Sequence, residues 1–531
     1  MQTIRRIYLY VVSAVSLGML AAGVVELART LVAMVVPTAI PANWLAENLA
    51  AAVGTTIVAL PVWLFHWGLA NRLAARDATE RVAALRRLYL YGVLAVSAIF
   101  IAIGVSDATE ALTAFAAHTR NVTVMQVIDP LPVIVVTLAV WWYHWGIAGQ
   151  ERRAFGEGGA SATIRRWYVY GSAFWALVVL LPATTSLVRT NYDHIVGPPT
   201  FGAAWQVSES VGPALAGLLI WAAHWIWSSR GQIAEDDRRS VLRAVYLLSV
   251  IAIALTVTLV QAGQVLFYLL SRLLGVPNPG GQTGSIAQLL AGPVAAAIVY
   301  GAAWWYHQRV LRGESAVAGE APRRLGVRRL YRYLIALVAL ALLSVGLAGV
   351  LWTIGDLLSS GTGQAGFSWQ EQISLFATLA IVGLPVWIAV WRPRPDVAEA
   401  ASLSRRLYLY LALIGSVLAA LISGAVMAFQ AIALVIGARS PTEAVNDLTR
   451  ALAVVLVGAG VAVYQWRALQ LDASRAGALP RTAESRARLR LIGPDGRIVR
   501  ELAGEMATLE LAFDRLAGEL ETAGLPRSEP S

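Results

Sequence analysis

The chain has 531 residues, of which 57% are hydrophobic and 14% charged, with a mean hydropathy of +0.62. Soluble domains carry about 25% charged residues, so this composition indicates that water is not the main solvent. Cysteine is absent, which excludes disulfides, thiolate metal sites and cysteine nucleophiles. The formal net charge is +10, and all 42 basic residues are arginines.

The first element is an apolar run that follows Met1 to Arg6 and continues to about Leu27. Its start looks like a signal peptide, but the run lacks a convincing small-residue cleavage site. The sequence therefore predicts an uncleaved first membrane helix.

A phrase of two arginines followed by Tyr-x-Tyr opens a repeated unit. Clear copies of this phrase occupy 5–10, 86–91, 165–170, 328–333 and 405–410, and a degraded copy occupies 243–246. The copies recur about every 80 residues. Self-similarity of this kind is the signature of a repeat architecture.

A second phrase, typically Trp-x-x-His-Trp, closes each unit at 63–67, 141–145, 221–225 and 304–307. The fifth and sixth copies, at 387–391 and 463–466, lack the histidine. Two apolar runs separate each opening from its closing, and each run is long enough to cross a bilayer as a helix.

The runs predict an all-α polytopic membrane protein of about twelve transmembrane helices, built from six repeated hairpins. The first helices are predicted at 7–28, 88–110, 167–189, 244–270, 331–355 and 407–436, and the second at 48–67, 130–146, 206–227, 286–307, 372–391 and 450–467. The predicted units are 1–80, 81–160, 161–238, 239–322, 323–400 and 401–474, with a tail at 475–531.

Arginine is concentrated in the links between hairpins, whereas proline and glycine mark the turns inside them. The positive-inside rule therefore predicts cytoplasmic links and cytoplasmic N- and C-termini. The expected location is a bacterial inner membrane. Basic residues spread over short loops do not form one nucleic-acid-binding face, so we expect no nucleic-acid partner.

The tail turns polar after about Asp472. Arg488–Ile492 and Ile498–Leu502 flank Gly-Pro-Asp-Gly and predict a short β-hairpin. Residues 503–522 show helical amphipathic spacing. A segment this small favours self-association or protein docking over an enzyme domain.

The paired basic and aromatic residues are typical of membrane-interface anchors, with a lipid-headgroup site as the alternative. The predicted anchors are Arg6, Tyr8, Tyr10, Trp67, Arg87, Tyr89, Tyr91, Trp145, Trp225, Trp391, Arg406, Tyr408, Tyr410 and Trp466.

The repeated histidines are His66, His144, His224 and His307. One interpretation is an interface residue that hydrogen-bonds to a neighbouring helix or headgroup. The alternatives are axial ligation of haem b by histidine pairs, or a proton-sensitive relay. No other cofactor and no metal site are predicted.

Carboxylates recur near the other end of the hairpins. Glu26 and Asp107 each follow the second arginine of their copy by 20 residues, which is about 30 Å of helix. Others open second helices, where they complement the helix dipole; they are Glu47, Asp129, Glu209, Glu371 and Asp447. The alternative is that all these carboxylates converge in an outer vestibule that gathers cations or protons.

The two phrases, recurring in register over about residues 4–470, resemble the bacterial integral-membrane family known as domain of unknown function 5671. The resemblance implies a helical membrane domain without an assigned activity, and no catalytic residue follows from it. The leading hypothesis is a non-enzymatic protein of structural, scaffold or sensory character. The alternatives are a transporter or channel, with a polar cavity lined by Gln261, Gln264, Thr55 and Thr56, and a haem-binding electron-transfer protein.

Overall fold

The computed structural model describes most of the chain. The described residues are 2–36, 41–119, 122–156, 159–196, 203–228, 237–238, 240–318, 322–360, 368–391, 393, 395–477, 486–492 and 498–505.

Within these residues, twelve helices are long and apolar enough to cross a membrane, so the chain is an all-α, multi-pass membrane protein. The long helices are α1 (Gln2–Val35), α2 (Ala42–Arg76), α4 (Ala84–Ala116), α6 (Leu131–Phe155), α7 (Gly159–Val196), α8 (Ala203–Ser228), α9 (Val241–Leu273), α10 (Ile286–Ala318), α11 (Pro322–Ser360), α12 (Trp369–Val390), α14 (Leu403–Val435) and α15 (Pro441–Gly477). The short helices are α3 (Ala78–Arg81), α5 (Val124–Ile128) and α13 (Val397–Ala400).

Most long helices extend beyond the predicted apolar runs. Helix α2, for example, covers Ala42–Arg76 where the apolar run predicted 48–67. Hydropathy marks only the segment that lies in hydrocarbon, whereas the helical hydrogen-bond ladder continues into polar residues at each end.

Consecutive long helices pack as hairpins, and glycine permits a close approach in several of them. A Cβ atom added at Gly23 would lie 2.6 Å from Thr56 Oγ1, and one added at Gly383 would lie 2.7 Å from the backbone nitrogen of Leu343. Small residues at such crossings let helix backbones come together in lipid, where van der Waals packing drives association.

The chain divides into two compact units. One contains Met1–Tyr331 with Thr362–Val382, and the other contains Arg332–Gly361 with Gly383–Ser531. Tyr10, Trp67, Leu90 and Leu94 lie in the core of the first unit. Tyr333, Trp391 and Leu409 lie in the core of the second.

Two antiparallel strands follow α15, namely β1 (Arg486–Ile492) and β2 (Ile498–Glu505). Leu489 pairs with Leu502 in this sheet. Because β2 continues to Glu505, residues 503–505 are strand rather than the start of the predicted amphipathic helix. The rest of that predicted helix lies outside the described residues.

Candidate functional site

The opening arginines meet an acidic side chain from the end of their own hairpin. The closest nitrogen-to-oxygen distances in these pairs are 2.5 to 2.8 Å. A buried guanidinium needs such a counter-charge because an unpaired charge in the interior is costly. The pairs are Arg5 and Arg6 with Glu80, Arg86 and Arg87 with Glu151, Arg165 and Arg166 with Asp237, Arg243 with Glu314, and Arg405 with Asp472. In the fifth copy the partner of Glu399 is Arg332, which stands between the two opening tyrosines.

The position of the carboxylate alternates along the chain. In the first, third and fifth hairpins it comes from the link after the second helix, as with Glu80 in α3 and Glu399 in α13. In the second, fourth and sixth hairpins it lies near the end of the second helix itself, as with Glu151 in α6. The structure therefore groups the hairpins into odd and even members.

Tyrosine hydroxyls connect the ion pair of an odd hairpin to that of the next even hairpin. Tyr170 donates to Asp237 at 3.1 Å and accepts from Arg243 at 3.2 Å. Tyr333 donates to Glu399 at 2.9 Å and accepts from Arg405 at 3.2 Å. Two ion pairs thus form one continuous buried network.

Asp237 illustrates the electrostatic balance of the network. Burial alone would raise the pKa of its carboxyl, but hydrogen bonds and charge from Arg165 and Arg166 outweigh burial and hold that pKa below its ordinary value. The Asp237 carboxylate accepts from both terminal nitrogens of Arg165, at 2.8 and 3.0 Å. This two-point geometry is the strong form of an arginine–carboxylate contact.

The closing tryptophans of odd hairpins cover the arginines of even hairpins. The guanidinium carbon lies 5.1 Å from the ring centroid in Arg86–Trp67, 4.6 Å in Arg243–Trp225 and 4.4 Å in Arg405–Trp391. Cation–π attraction is strongest where water is excluded, and the three tryptophans are buried. The same three indole N–H groups donate to Tyr143, Tyr306 and Tyr464.

The opening tyrosines pack from one copy to the next. The second tyrosine of one copy lies beside the first tyrosine of the following copy, with ring centroids 5.6 to 5.7 Å apart. These pairs are Tyr10–Tyr89, Tyr91–Tyr168, Tyr170–Tyr246 and Tyr333–Tyr408.

Each of the four repeated histidines has the same two partners. Nδ1 lies 2.8 Å from the backbone carbonyl four residues earlier, so it must carry the proton, because a carbonyl can only accept. In the neutral ring Nε2 then accepts from a tyrosine hydroxyl at 2.8 to 3.3 Å. The pairs are Tyr8–His66, Tyr89–His144, Tyr168–His224 and Tyr246–His307.

Tryptophan extends this hydrogen-bonded chain to the preceding hairpin. The Trp141 indole donates to the Tyr168 hydroxyl at 3.0 Å, and that hydroxyl donates to His224 at 2.8 Å. Trp221 and Tyr246 repeat the arrangement with His307. His224 and His307 are therefore each joined to the hairpin before their own.

The last two copies show how the site changes when histidine is absent. In the sixth copy the Gln465 amide lies 3.2 Å from the Tyr408 hydroxyl and takes the place of the imidazole. In the fifth copy Val390 stands at the histidine position, and the Tyr331 hydroxyl has no hydrogen-bond partner among the described residues.

The predicted interface anchors separate into three groups by exposure. Tyr8, Tyr410, Arg406 and Trp466 have exposed side chains. Arg6 and Trp145 are half-buried. The others contact the protein interior instead of lying open to headgroups; they are Tyr10, Trp67, Arg87, Tyr89, Tyr91, Trp225, Trp391 and Tyr408.

At the opposite end of the hairpins, several of the predicted carboxylates bind arginine. Arg29 pairs with Glu26 at 2.9 Å and with Asp129 at 3.2 Å, and Asp107 interacts electrostatically with Arg29 and Asp129. Asp447 accepts from Gln430 at 2.8 Å and from Arg439 at 2.9 Å. Within the described side chains, no group of three or more His, Asp or Glu could hold a metal ion.

A polar cavity of about 700 Å³ lies among α7, α9, α10 and the turn between the last two. Gln261 and Gln264 line it together with Arg189 and Asp193. Thr55 and Thr56 belong to the first hairpin and do not line this cavity. The Thr56 hydroxyl instead donates to the Ala52 carbonyl of its own helix.

Sequence reasoning missed the carboxylates that bind the opening arginines. The partners stand 65 to 75 residues apart in the chain, which hides them from any local motif. A signal did exist: every hairpin ends with an acidic residue in or beside an otherwise arginine-rich link.

Comparison with known proteins bears on the same region. No curated protein and no solved structure matches this chain. A family model matches it four times, over residues 6–131, 101–201, 183–302 and 329–460. These matches span the opening and closing phrases and most of the chain, which therefore belongs to the family described as Domain of unknown function (DUF5671).

Proposed function

We propose that this chain is a non-enzymatic membrane protein of structural, scaffold or sensory character. The observation that carries the proposal is the repeated buried network, in which His144, His224 and His307 bind the chain's own tyrosines and the carboxylates at the hairpin ends bind its arginines. These contacts fasten the two helices of each hairpin, and the bridging tyrosines and tryptophans join one hairpin to the next.

The natural Gln465 suggests the test. Replacing His66, His144, His224 and His307 together by glutamine keeps a partner for each tyrosine hydroxyl. We expect the variant to retain the wild-type unfolding temperature in detergent to within a few degrees, whereas the fourfold alanine variant, which leaves tyrosine hydroxyls unpaired, unfolds at a clearly lower temperature.

The same proteins test the haem alternative. The absorption spectrum of wild-type protein, purified from cells supplied with haem precursor, is expected to show no Soret band. A Soret band in the wild type that disappears in the glutamine variant would assign the histidines to haem and overturn the scaffold proposal.

The proposed location is a bacterial cytoplasmic membrane, with both termini in the cytoplasm. The arginine-rich links support this orientation through the positive-inside rule. A fluorescent reporter fused after Gly156 should be active in the cytoplasm, and alkaline phosphatase fused after Gly280 should be active outside it. The reverse pattern would contradict the proposed orientation.

The tail is proposed to serve docking or self-association. A lone two-stranded hairpin is marginally stable in water, so β1 and β2 gain from a partner surface. Light scattering of the detergent-purified full chain, compared with a chain ending at Gly477, tests self-association. If both chains have the same number of copies per particle, the tail does not drive self-association, and docking to another protein remains. Binding of other proteins to the immobilised full chain then tests docking.

A transporter or channel is the second candidate, favoured by the polar cavity that Gln261 and Gln264 line. Amino acids and sugars are added one at a time, and at least one of them should raise the unfolding temperature of the wild type. The control is Gln206→Leu, which changes an exposed glutamine outside the cavity and should show the same rise. The effect should disappear in Gln261→Leu/Gln264→Leu. If no solute shifts the wild type, the cavity lacks this role.

A further inference from the structure

An apolar groove of about 580 Å³ runs between α1 and α4, with α6 along part of its floor. Small side chains shape it, including Ala14, Gly18, Ala21 and Gly92. Its lining on α1 extends from Ile7 to Arg29, which at 1.5 Å per residue is about 33 Å. The groove therefore follows most of the thickness of a bilayer core, which is about 30 Å.

Side-chain contacts mark the two ends of the groove. At the arginine-rich end, Tyr10 of α1 packs on Tyr89 of α4, with ring centroids 5.6 Å apart. At the opposite end, Arg29 of α1 binds both the carboxylate and the backbone carbonyl of Asp129, which follows α5. Between these contacts the two helices stand apart.

The glycines of the groove do not serve helix packing. A Cβ atom added at Gly18 or Gly92 would meet no atom within 4 Å, whereas one added at Gly23, on another face of α1, would collide with Thr56. The groove thus keeps room that the protein itself does not fill. An apolar space of this kind gives water no hydrogen-bond partners and suits a hydrocarbon chain.

The opposite end of the groove is acidic. Glu26 and Arg29 line it, Asp129 binds Arg29, and Asp107 interacts electrostatically with the same pair. Three carboxylates therefore stand against one guanidinium. The Glu26 and Asp129 side chains remain 50% and 43% exposed, so they are open to a headgroup.

We propose that this groove binds a phospholipid with an ethanolamine headgroup. One acyl chain lies along Gly18 and Gly92, the ammonium group contacts Glu26 and Asp129, and the phosphate faces Arg29. The acidic cluster disfavours an anionic headgroup without an amine, because like charges repel at close range.

Native mass spectrometry of the delipidated full chain tests this proposal. Phosphatidylethanolamine and phosphatidylglycerol with identical acyl chains are added separately, and retained lipid is counted. Wild-type protein should retain one more phosphatidylethanolamine molecule than Gly18→Leu/Gly92→Leu. Gly54→Leu is the matched control, because Gly54 is exposed on α2 and its added side chain also meets no atom.

The headgroup is tested in the folded groove by Glu26→Gln. Loss of one charge near the membrane surface is worth about 1 kcal/mol, so phosphatidylethanolamine affinity should fall about fivefold. Equal retention by Gly18→Leu/Gly92→Leu and Gly54→Leu would overturn the proposal. Equal binding of phosphatidylglycerol and phosphatidylethanolamine to the wild type would overturn it as well.

Discussion

Arg405 and Asp472 form a buried ion pair between the first turns of α14 and the last turns of α15. Arg405 has no exposed surface, and Asp472 is 3% exposed. The carboxylate accepts from Nε and from Nη2 of the guanidinium, which also lies over the Trp391 ring. Sixty-seven residues separate the two partners, so this pair fastens the beginning of the sixth hairpin to its end.

Removing one partner of this pair should be costly. Asp472→Asn leaves the Arg405 charge buried without a counter-charge, and we expect the free energy of unfolding in mixed micelles to fall by about 3–5 kcal/mol. Arg439→Met, which removes an exposed partner of Asp447, is the control and should cost at most about 1 kcal/mol. Similar decreases in the free energy of unfolding for both variants would show that burial does not make the Arg405–Asp472 pair more important than an exposed pair.

Arg87 should behave in the opposite sense. Its guanidinium has no exposed surface, and none of its nitrogens forms a hydrogen bond within the described residues. Its ion pair with Glu151 is 3.3 Å long, whereas Arg86 approaches the same carboxylate to 2.6 Å. Arg87→Met should therefore leave stability unchanged or raise it by about 1–3 kcal/mol, since unsatisfied buried donors are lost. The fourth copy already carries Ala244 at the equivalent position. A decrease as large as that of Arg86→Met would refute this reading of Arg87.

Tyr168→Phe should break the series of hydrogen bonds that runs from Trp141 through Tyr168 to His224. The Trp141 indole would lose its acceptor and His224 would lose its donor, at a cost of about 1–3 kcal/mol in the free energy of unfolding. Tyr8→Phe provides the comparison, because Tyr8 is 56% exposed and water can replace its hydroxyl. Equal effects of the two substitutions would argue against a role for burial in the tyrosine–histidine contact.

Gly383→Leu should disrupt the fifth hairpin. Any Cβ at this position would lie 2.7 Å from the Leu343 nitrogen and 2.9 Å from the Ala339 carbonyl oxygen, so the helix backbones must move apart. Overpacking of this kind costs about 1–3 kcal/mol, measured by unfolding in mixed micelles. Gly460→Leu, where an added Cβ meets nothing, should be close to neutral.

The contribution of Asp237 should depend on pH in one direction. Because its folded pKa lies below the unfolded value of about 3.9, its stabilisation is fully present above that value and is lost as pH falls through the folded pKa. The difference in unfolding temperature between wild type and Asp237→Asn should stay constant from about pH 8 to 5 and shrink below about pH 4. A difference that vanishes between pH 7 and 5 would contradict the assigned pKa direction.

The twelve crossings were predictable because two phrases recur in register, and hydropathy then locates the helices between them. Burial was not predictable, because an aromatic residue at a membrane edge has the same local sequence whether it faces lipid or protein. Trp67 is buried in the first unit and Trp466 is exposed, although both close a hairpin. Residue spacing along one helix also could not indicate that Gln261 would line a cavity and Thr56 would not.

The alternating position of the link carboxylate has a consequence for how such a chain can change its length. A tyrosine of an odd hairpin accepts a hydrogen bond from the opening arginine of the next even hairpin, as Tyr170 does from Arg243 and Tyr333 does from Arg405. Excising one hairpin would bring two members of the same parity together and leave a bridging hydroxyl beside an arginine set for a different neighbour. Viable shortening or duplication should therefore proceed by two hairpins at a time, in steps of four crossings.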